Sequence, residues 1–174
     1  CCGYAGIEAA KTAAAILGIP HYVLNFEKEL HDYIITDFIQ EYLRGRTPNP
    51  CVRCNQIVKF GFLLDKVTAL GADCLATGHY VRVVSAPETG GYMMKKAADE
   101  KKDQSYFLYG IGRDNLGKVL FPLGGMTKAE VRALARQYRL NTADRPESQD
   151  ICFVSDGGYH QFIAGHAGPD VFQP

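Results

Sequence analysis

The side chains best able to do covalent chemistry in this chain are cysteines. Six occur in 174 residues: Cys1, Cys2, Cys51, Cys54, Cys74 and Cys152. Cys51-Val52-Arg53-Cys54 is a C-x-x-C motif, the spacing of half a structural zinc site and of redox-active thiol pairs. A tetrahedral site needs two more ligands. With no second C-x-x-C and no H-x-x-x-H, Cys152 could be the third ligand and His79 or His160 the fourth. In the redox reading, one thiol of the pair attacks as a thiolate, assisted by Arg53 and Lys59 nearby in sequence. Cys152 lies in the apolar run Ile151-Cys152-Phe153-Val154 and, taken alone, reads as a small buried hydrophobe, as does Cys74.

Three polar segments accompany the cysteines. Pro146-Glu147-Ser148-Gln149-Asp150 leads into the Cys152 run, and polar groups at strand mouths are where open α/β sheets bind ligands. Thr77-Gly78-His79-Tyr80 forms another such mouth, its glycine permitting close backbone approach. A lone histidine there is ordinarily structural. Lys101-Lys102-Asp103-Gln104-Ser105-Tyr106 mixes cations, an amide and an aromatic, which suits phosphate positioning and base stacking; in isolation it reads as a solvated loop.

The elements that must hold these residues are readable from periodicity. Gly6–Leu17 is Ala-rich with helical spacing and is stopped by Gly18 and Pro20. His21–Leu24 has the pattern of a short buried strand. Phe26–Arg44 is an amphipathic helix with Leu30, Tyr33, Ile34, Phe38, Ile39 and Tyr42 on one face. Gly45–Pro50 is a proline-punctuated loop, and Phe60–Leu70 returns to helix. Asp73–Thr77 is a strand, and Tyr80–Val84 with Tyr92–Lys95 forms a hairpin around Gly90-Gly91. Lys95–Gln104 reads as a polar, basic, mobile segment. Thr127–Tyr138 is a helix opened by a Thr127/Glu130 capping box, and Ile151–Val154 is strand-like. The order implies an α/β domain with a mostly parallel sheet.

Composition bounds the function. The chain has 19 Lys+Arg, 19 Asp+Glu, 47% hydrophobic and 22% charged residues, which is ordinary for a globular protein and not for a disordered one. Zero net charge excludes nucleic-acid binding by bulk electrostatics but permits a local basic groove. No segment approaches the roughly 20 apolar residues of a membrane span. The cysteines are too sparse for a disulfide scaffold, which points to a reducing compartment. The start at Cys1-Cys2-Gly3, without Met or leader, reads as an excised segment.

Six stretches then carry a resemblance. They are Gly45-Arg46-Thr47-Pro48-Asn49-Pro50; Cys54-Asn55 with Lys59-Phe60-Gly61; Ala76-Thr77-Gly78-His79-Tyr80; Lys102-Asp103-Gln104-Ser105-Tyr106-Phe107-Leu108; Phe121-Pro122-Leu123-Gly124; and Ser148-Gln149-Asp150-Ile151-Cys152-Phe153. In this order they resemble the tRNA-specific 2-thiouridylase family, once also named methyltransferases, which places sulfur at position 2 of a wobble uridine. The resemblance implies an adenine-nucleotide α-hydrolase-like (PP-loop, Rossmann-like) parallel sheet, incomplete here, plus a small α+β central domain. Residues 1–84 would be part of the PP-loop catalytic domain, and 85–174 its remainder with the start of the central, tRNA-binding domain.

The resemblance further implies a persulfide on Cys152, with Cys54 as its partner, releasing sulfur or forming a disulfide. ATP with Mg2+ would adenylate the uridine, and Gly78 would contact ATP. Asn49, Pro50 and Cys51 would meet the target base, and His79, Lys102, Asp103 and Gln104 the tRNA. A sulfur-donor protein, a cytoplasmic setting and no membrane are implied too. Two departures stand out. The Ser-Gly-Gly-x-Asp-Ser loop and a C-terminal barrel are absent from the sequence, so the segment alone is expected to be inactive. Cys51 replaces a frequent Asp and supplies a third thiol, so that Cys51, Cys54 and Cys152 resemble the three-cysteine sites that hold a [4Fe–4S] cluster, with one iron left to carry sulfur. The rival class is a non-catalytic, zinc-stabilised tRNA-binding module.

Overall fold

Alanine-rich sequence with a glycine stop produces the first helix, α1 (Tyr4–Leu17), in a computed structural model that describes residues 3–144, 151–154 and 158–167. The chain groups into two compact units, one of residues 1–51 with 144–174 and the other of residues 52–143. The boundary expected after residue 84 falls inside a strand of the second unit.

In the first unit the expected second helix runs without a break through α2 (Glu27–Leu30), a wider π-helical turn at His31–Ile35, and α3 (Thr36–Leu43). Ile34 and Phe38 are buried as the periodicity predicts, but Tyr33 is 48% exposed. The π turn adds residues per turn and so rotates the apolar register. Phe38 is the hub of the packing. Tyr42, Phe153 and Phe162 meet its ring edge-on at centroid distances of 4.9, 5.4 and 6.2 Å. Phe162 and the fully buried Ile163 belong to α7 (Gly158–Ala167), and Tyr42 stacks on Tyr159 of the same helix at 4.8 Å.

Two strand expectations fail in this unit. His21–Leu24 is irregular rather than a strand, with Tyr22 81% and Val23 60% exposed; a strand requires a hydrogen-bonded neighbour, which a short apolar run does not supply by itself. Ile151–Val154 is a turn, closed by Val154 N–H donating to the Ile151 carbonyl.

The division between the units falls within helix α4 (Pro50–Cys54), and the second unit continues with a π-helical stretch at Asn55–Leu63 and α5 (Leu64–Ala69). Proline is favoured at a first helical position, where its missing donor costs nothing. Strand β1 (Leu75–Ala76) pairs in parallel with β4 (Val119–Leu120). The expected hairpin is β2 (Val81–Ala86) with β3 (Gly91–Lys96). Phe60, Leu64, Val81, Leu108, Ile111, Leu116 and Val119 form the core, joined by Phe121. Gly124 lies so close to β2 that a Cβ there would sit 1.8 Å from the Val81 carbonyl oxygen, so only glycine fits. α6 (Lys128–Gln137) carries both halves of its capping box.

Candidate active site

The segment expected to be mobile is tied down from several sides. Asp99 Oδ1 accepts from Lys101 N–H at 3.2 Å, capping a short 3₁₀ turn at Glu100–Lys102, and Oδ2 accepts from Lys128 N–H at 3.0 Å. Asp103 Oδ1 accepts from Ala97 N–H at 2.7 Å and Oδ2 from the Ser105 hydroxyl at 2.6 Å. Burial pushes the Asp103 carboxyl up, but these bonds prevail and hold it below the usual carboxylate range. Asp103 therefore organises its own loop with both oxygens, an intramolecular role the sequence reading missed. Asp99 was also missed; its signal was an Asp ahead of a polar turn, the position of a cap.

Gln104 fastens this loop to the mouth of β1. Its N–H donates to the Tyr80 carbonyl and its side-chain oxygen accepts from Tyr80 N–H, each at 2.9 Å. The two polar segments singled out in the sequence, Thr77–Tyr80 and Lys102–Gln104, are thereby one structural feature. Lys102 is half-buried and Lys101 exposed. Lys128 lies 5.7 Å from the centroid of the Tyr80 ring.

His79 sits at that mouth, with its Nδ1 2.8 Å from the Thr77 hydroxyl and its ring near Phe60 and Phe121, at 6.0 and 6.2 Å. Burial, helped by the positive charge of Lys59, pushes its pKa down to about 4. At neutral pH His79 is an uncharged ring able to donate or stack, not a phosphate-binding cation. Gly78 is exposed, and a Cβ there would make ordinary contact with Leu123 at 3.7 Å. Nothing in the fold requires glycine at 78.

Asn49 is half-buried, Pro50 buried and Cys51 exposed where the loop enters α4; Cys54, half-buried, ends that helix. Arg46 grips Glu41 through Nε and Nη2, both at 2.6 Å, and Arg44 adds a contact at 3.0 Å. Hydrogen bonding from Arg46 is the main cause holding Glu41 below the usual carboxylate range. Arg44 and Arg46 are therefore already shared with a carboxylate.

Cys152 and Cys74 are both exposed, not buried as their setting in apolar sequence suggested. Cys152 lies on the 151–154 turn, whose Phe153 is anchored against Phe38 and Phe162. Exposure and anchoring thus alternate between adjacent residues. Among the described residues no three His, Cys, Asp or Glu side chains gather as a metal-holding group. Cys51 and Cys152 belong to the first unit and Cys54 to the second. Residues 145–150, with the Pro146–Asp150 lead-in, lie outside the described residues.

Asn55 is the further residue that the sequence reading left without a role. It is 3% exposed, and its Nδ2 donates to the Phe107 carbonyl at 3.0 Å. Its Oδ1 is buried without a partner among the described residues, a burden of about 1–3 kcal/mol. Asparagine directly after a reactive-cysteine candidate was the available signal.

A parallel strand pair flanked by helices, with a polar, glycine-containing strand mouth, is the architecture of an α/β nucleotide-binding domain. The chain belongs to the tRNA methyl transferase HUP-domain family, whose family model matches residues 1–156; this is the adenine-nucleotide α-hydrolase-like class. It is similar to proteins named tRNA-specific 2-thiouridylase MnmA. The one from Carboxydothermus hydrogenoformans is 49% identical over 98% of this chain and 47% of the relative. That from Geotalea uraniireducens is 53% identical over 98% and 45% respectively. A Heliobacterium modesticaldum protein is 47% identical over 100% of the chain and 45% of its own length. The chain spans about half the length of these curated relatives.

Proposed function

We propose that this chain is the part of a tRNA-uridine 2-sulfurtransferase that carries its reacting cysteines and part of its tRNA and ATP contacts. The observation that carries this reading is Cys152: an exposed thiol on a turn anchored by Phe153. A residue that a separate sulfur-donor protein must reload has to be reachable from solvent yet fixed in place. The relatives' shared name points to the same chemistry, and the methyltransferase wording of the family is a naming legacy.

In this reading the uridine 2-oxygen attacks the α-phosphorus of ATP, bound with Mg2+, pyrophosphate departs, and the adenylated oxygen becomes a leaving group. The terminal sulfur of a Cys152 persulfide attacks C2 and AMP departs. Cys54 thiolate then attacks the inner Cys152 sulfur, forming a Cys54–Cys152 disulfide and leaving the 2-thio base; a reductant restores the two thiols. Gly78, free of internal steric demands, leaves room for a phosphate or ribose to approach the backbone. Asn49, Pro50 and Cys51 face the target base; His79, as a neutral donor, joins Lys102 and Gln104 in holding the tRNA, with Asp103 shaping their loop. The setting is cytoplasmic, and no described helix is long and apolar enough to cross a membrane. The persulfide route is preferred because it needs only the two thiols of Cys54 and Cys152, and catalysis is preferred to a zinc-stabilised module because the relatives' shared name is that of a thiolating enzyme.

The test is a chimera in which residues 1–174 replace the matching stretch of a curated relative, assayed for 2-thiouridine in a host lacking its own enzyme. Restored 2-thiouridine supports the reading. A folded, tRNA-binding chimera that makes none overturns it.

A further inference from the structure

Asn55 immediately follows Cys54 and opens the π-helical stretch Asn55–Leu63. Its buried amide reaches across 52 positions to the Phe107 carbonyl. Phe107 N–H donates in turn to the Gln104 carbonyl at 3.0 Å, and Gln104 is bonded both ways to Tyr80. One hydrogen-bonded path therefore runs from the residue beside Cys54, through the Ser105–Leu108 turn, to the strand mouth at His79 and Tyr80. The two elements also approach closely, since a Cβ on Gly110 would lie 3.1 Å from the Gln56 side chain. Asn115 repeats the device, its Nδ2 donating to the Phe60 carbonyl at 3.3 Å.

A neutral amide suits this task. It donates to a buried carbonyl without bringing a charge that must be desolvated. The amide is 3% exposed and spends its donor on the Phe107 carbonyl, a contact between elements rather than within its own helix. We propose that Asn55 is a positioning residue that locks the helix bearing Cys54 to the loop bearing Lys102, Asp103 and Gln104, so that thiol and RNA-contact loop open and close as one body. The value of that coupling to catalysis rests on the thiolation reading; the coupling itself does not.

The test uses the 174-residue chain. Hydrogen exchange in the unsubstituted protein should give the amides of Tyr80, Gln104 and Phe107 protections within about threefold of one another, the mark of a shared opening. Asn55→Ser should lower all three together by about tenfold and raise iodoacetamide labelling of Cys54 by about tenfold relative to Cys74. Asn55→Gln, which retains the donor, should recover most of both. Protections spread over much more than tenfold in the unsubstituted protein overturn the proposal even if the serine variant fails to fold. So does a folded Asn55→Ser with exchange and labelling ratio unchanged. Loss of thiolation by the unsubstituted chimera would instead fault the functional reading and leave these results standing.

Discussion

His79 shows how a single residue's environment decides its chemistry. Its pKa near 4 in the folded state lies below the ordinary 6.5, so between these values the unfolded chain binds more protons than the native one. Stability from burying the neutral ring is thus fully present above about pH 6.5 and is lost as pH falls toward 4. The shift corresponds to about 3 kcal/mol at most, reduced by the ring's partial exposure. Urea midpoints at about pH 7 and about pH 4 should fall further for the unsubstituted protein than for His79→Gln. Equal falls would mean the ring is not held neutral. For RNA, Lys102→Ala in the chimera should lower the salt slope of tRNA binding by about one. Arg46→Ala should change it less, because Glu41 already occupies that guanidinium. The reverse order would remove Lys102 from the interface.

At the scale of elements, what the sequence made legible was local. The Thr127/Glu130 box and the Gly90-Gly91 turn are short-range codes, and α6 and the β2–β3 hairpin formed as read. His21–Leu24 and Ile151–Val154 were misread because an apolar run does not reveal whether a pairing strand exists elsewhere. The order in Lys95–Gln104 was missed because two of its anchors, Tyr80 and Lys128, are set by tertiary placement. Two substitutions separate these kinds of information. Thr127→Ala removes one cap and should cost about 1 kcal/mol. Gly124→Ala drives a methyl into the Val81 carbonyl and should cost more, about 3 kcal/mol. Thermal or urea unfolding ranks them, and a harmless Gly124→Ala would contradict the close approach.

For the whole molecule, the cysteine sites were legible as residues but their roles were not. Spacing singled out Cys51 and Cys54 and the family resemblance Cys152, yet only the structure shows the thiol of Cys152 exposed beside an anchored aromatic. Phe38→Ala, which removes the hub of those rings, should destabilise the first unit by about 3–5 kcal/mol and loosen the Cys152 turn with it. The central claim is that Cys152 carries the sulfur. The measurement that meets it directly is 2-thiouridine formation by the chimera bearing Cys152→Ser, with tRNA affinity measured on the same preparation. Thiolation should vanish while affinity is retained. Undiminished 2-thiouridine from the serine variant would contradict the account.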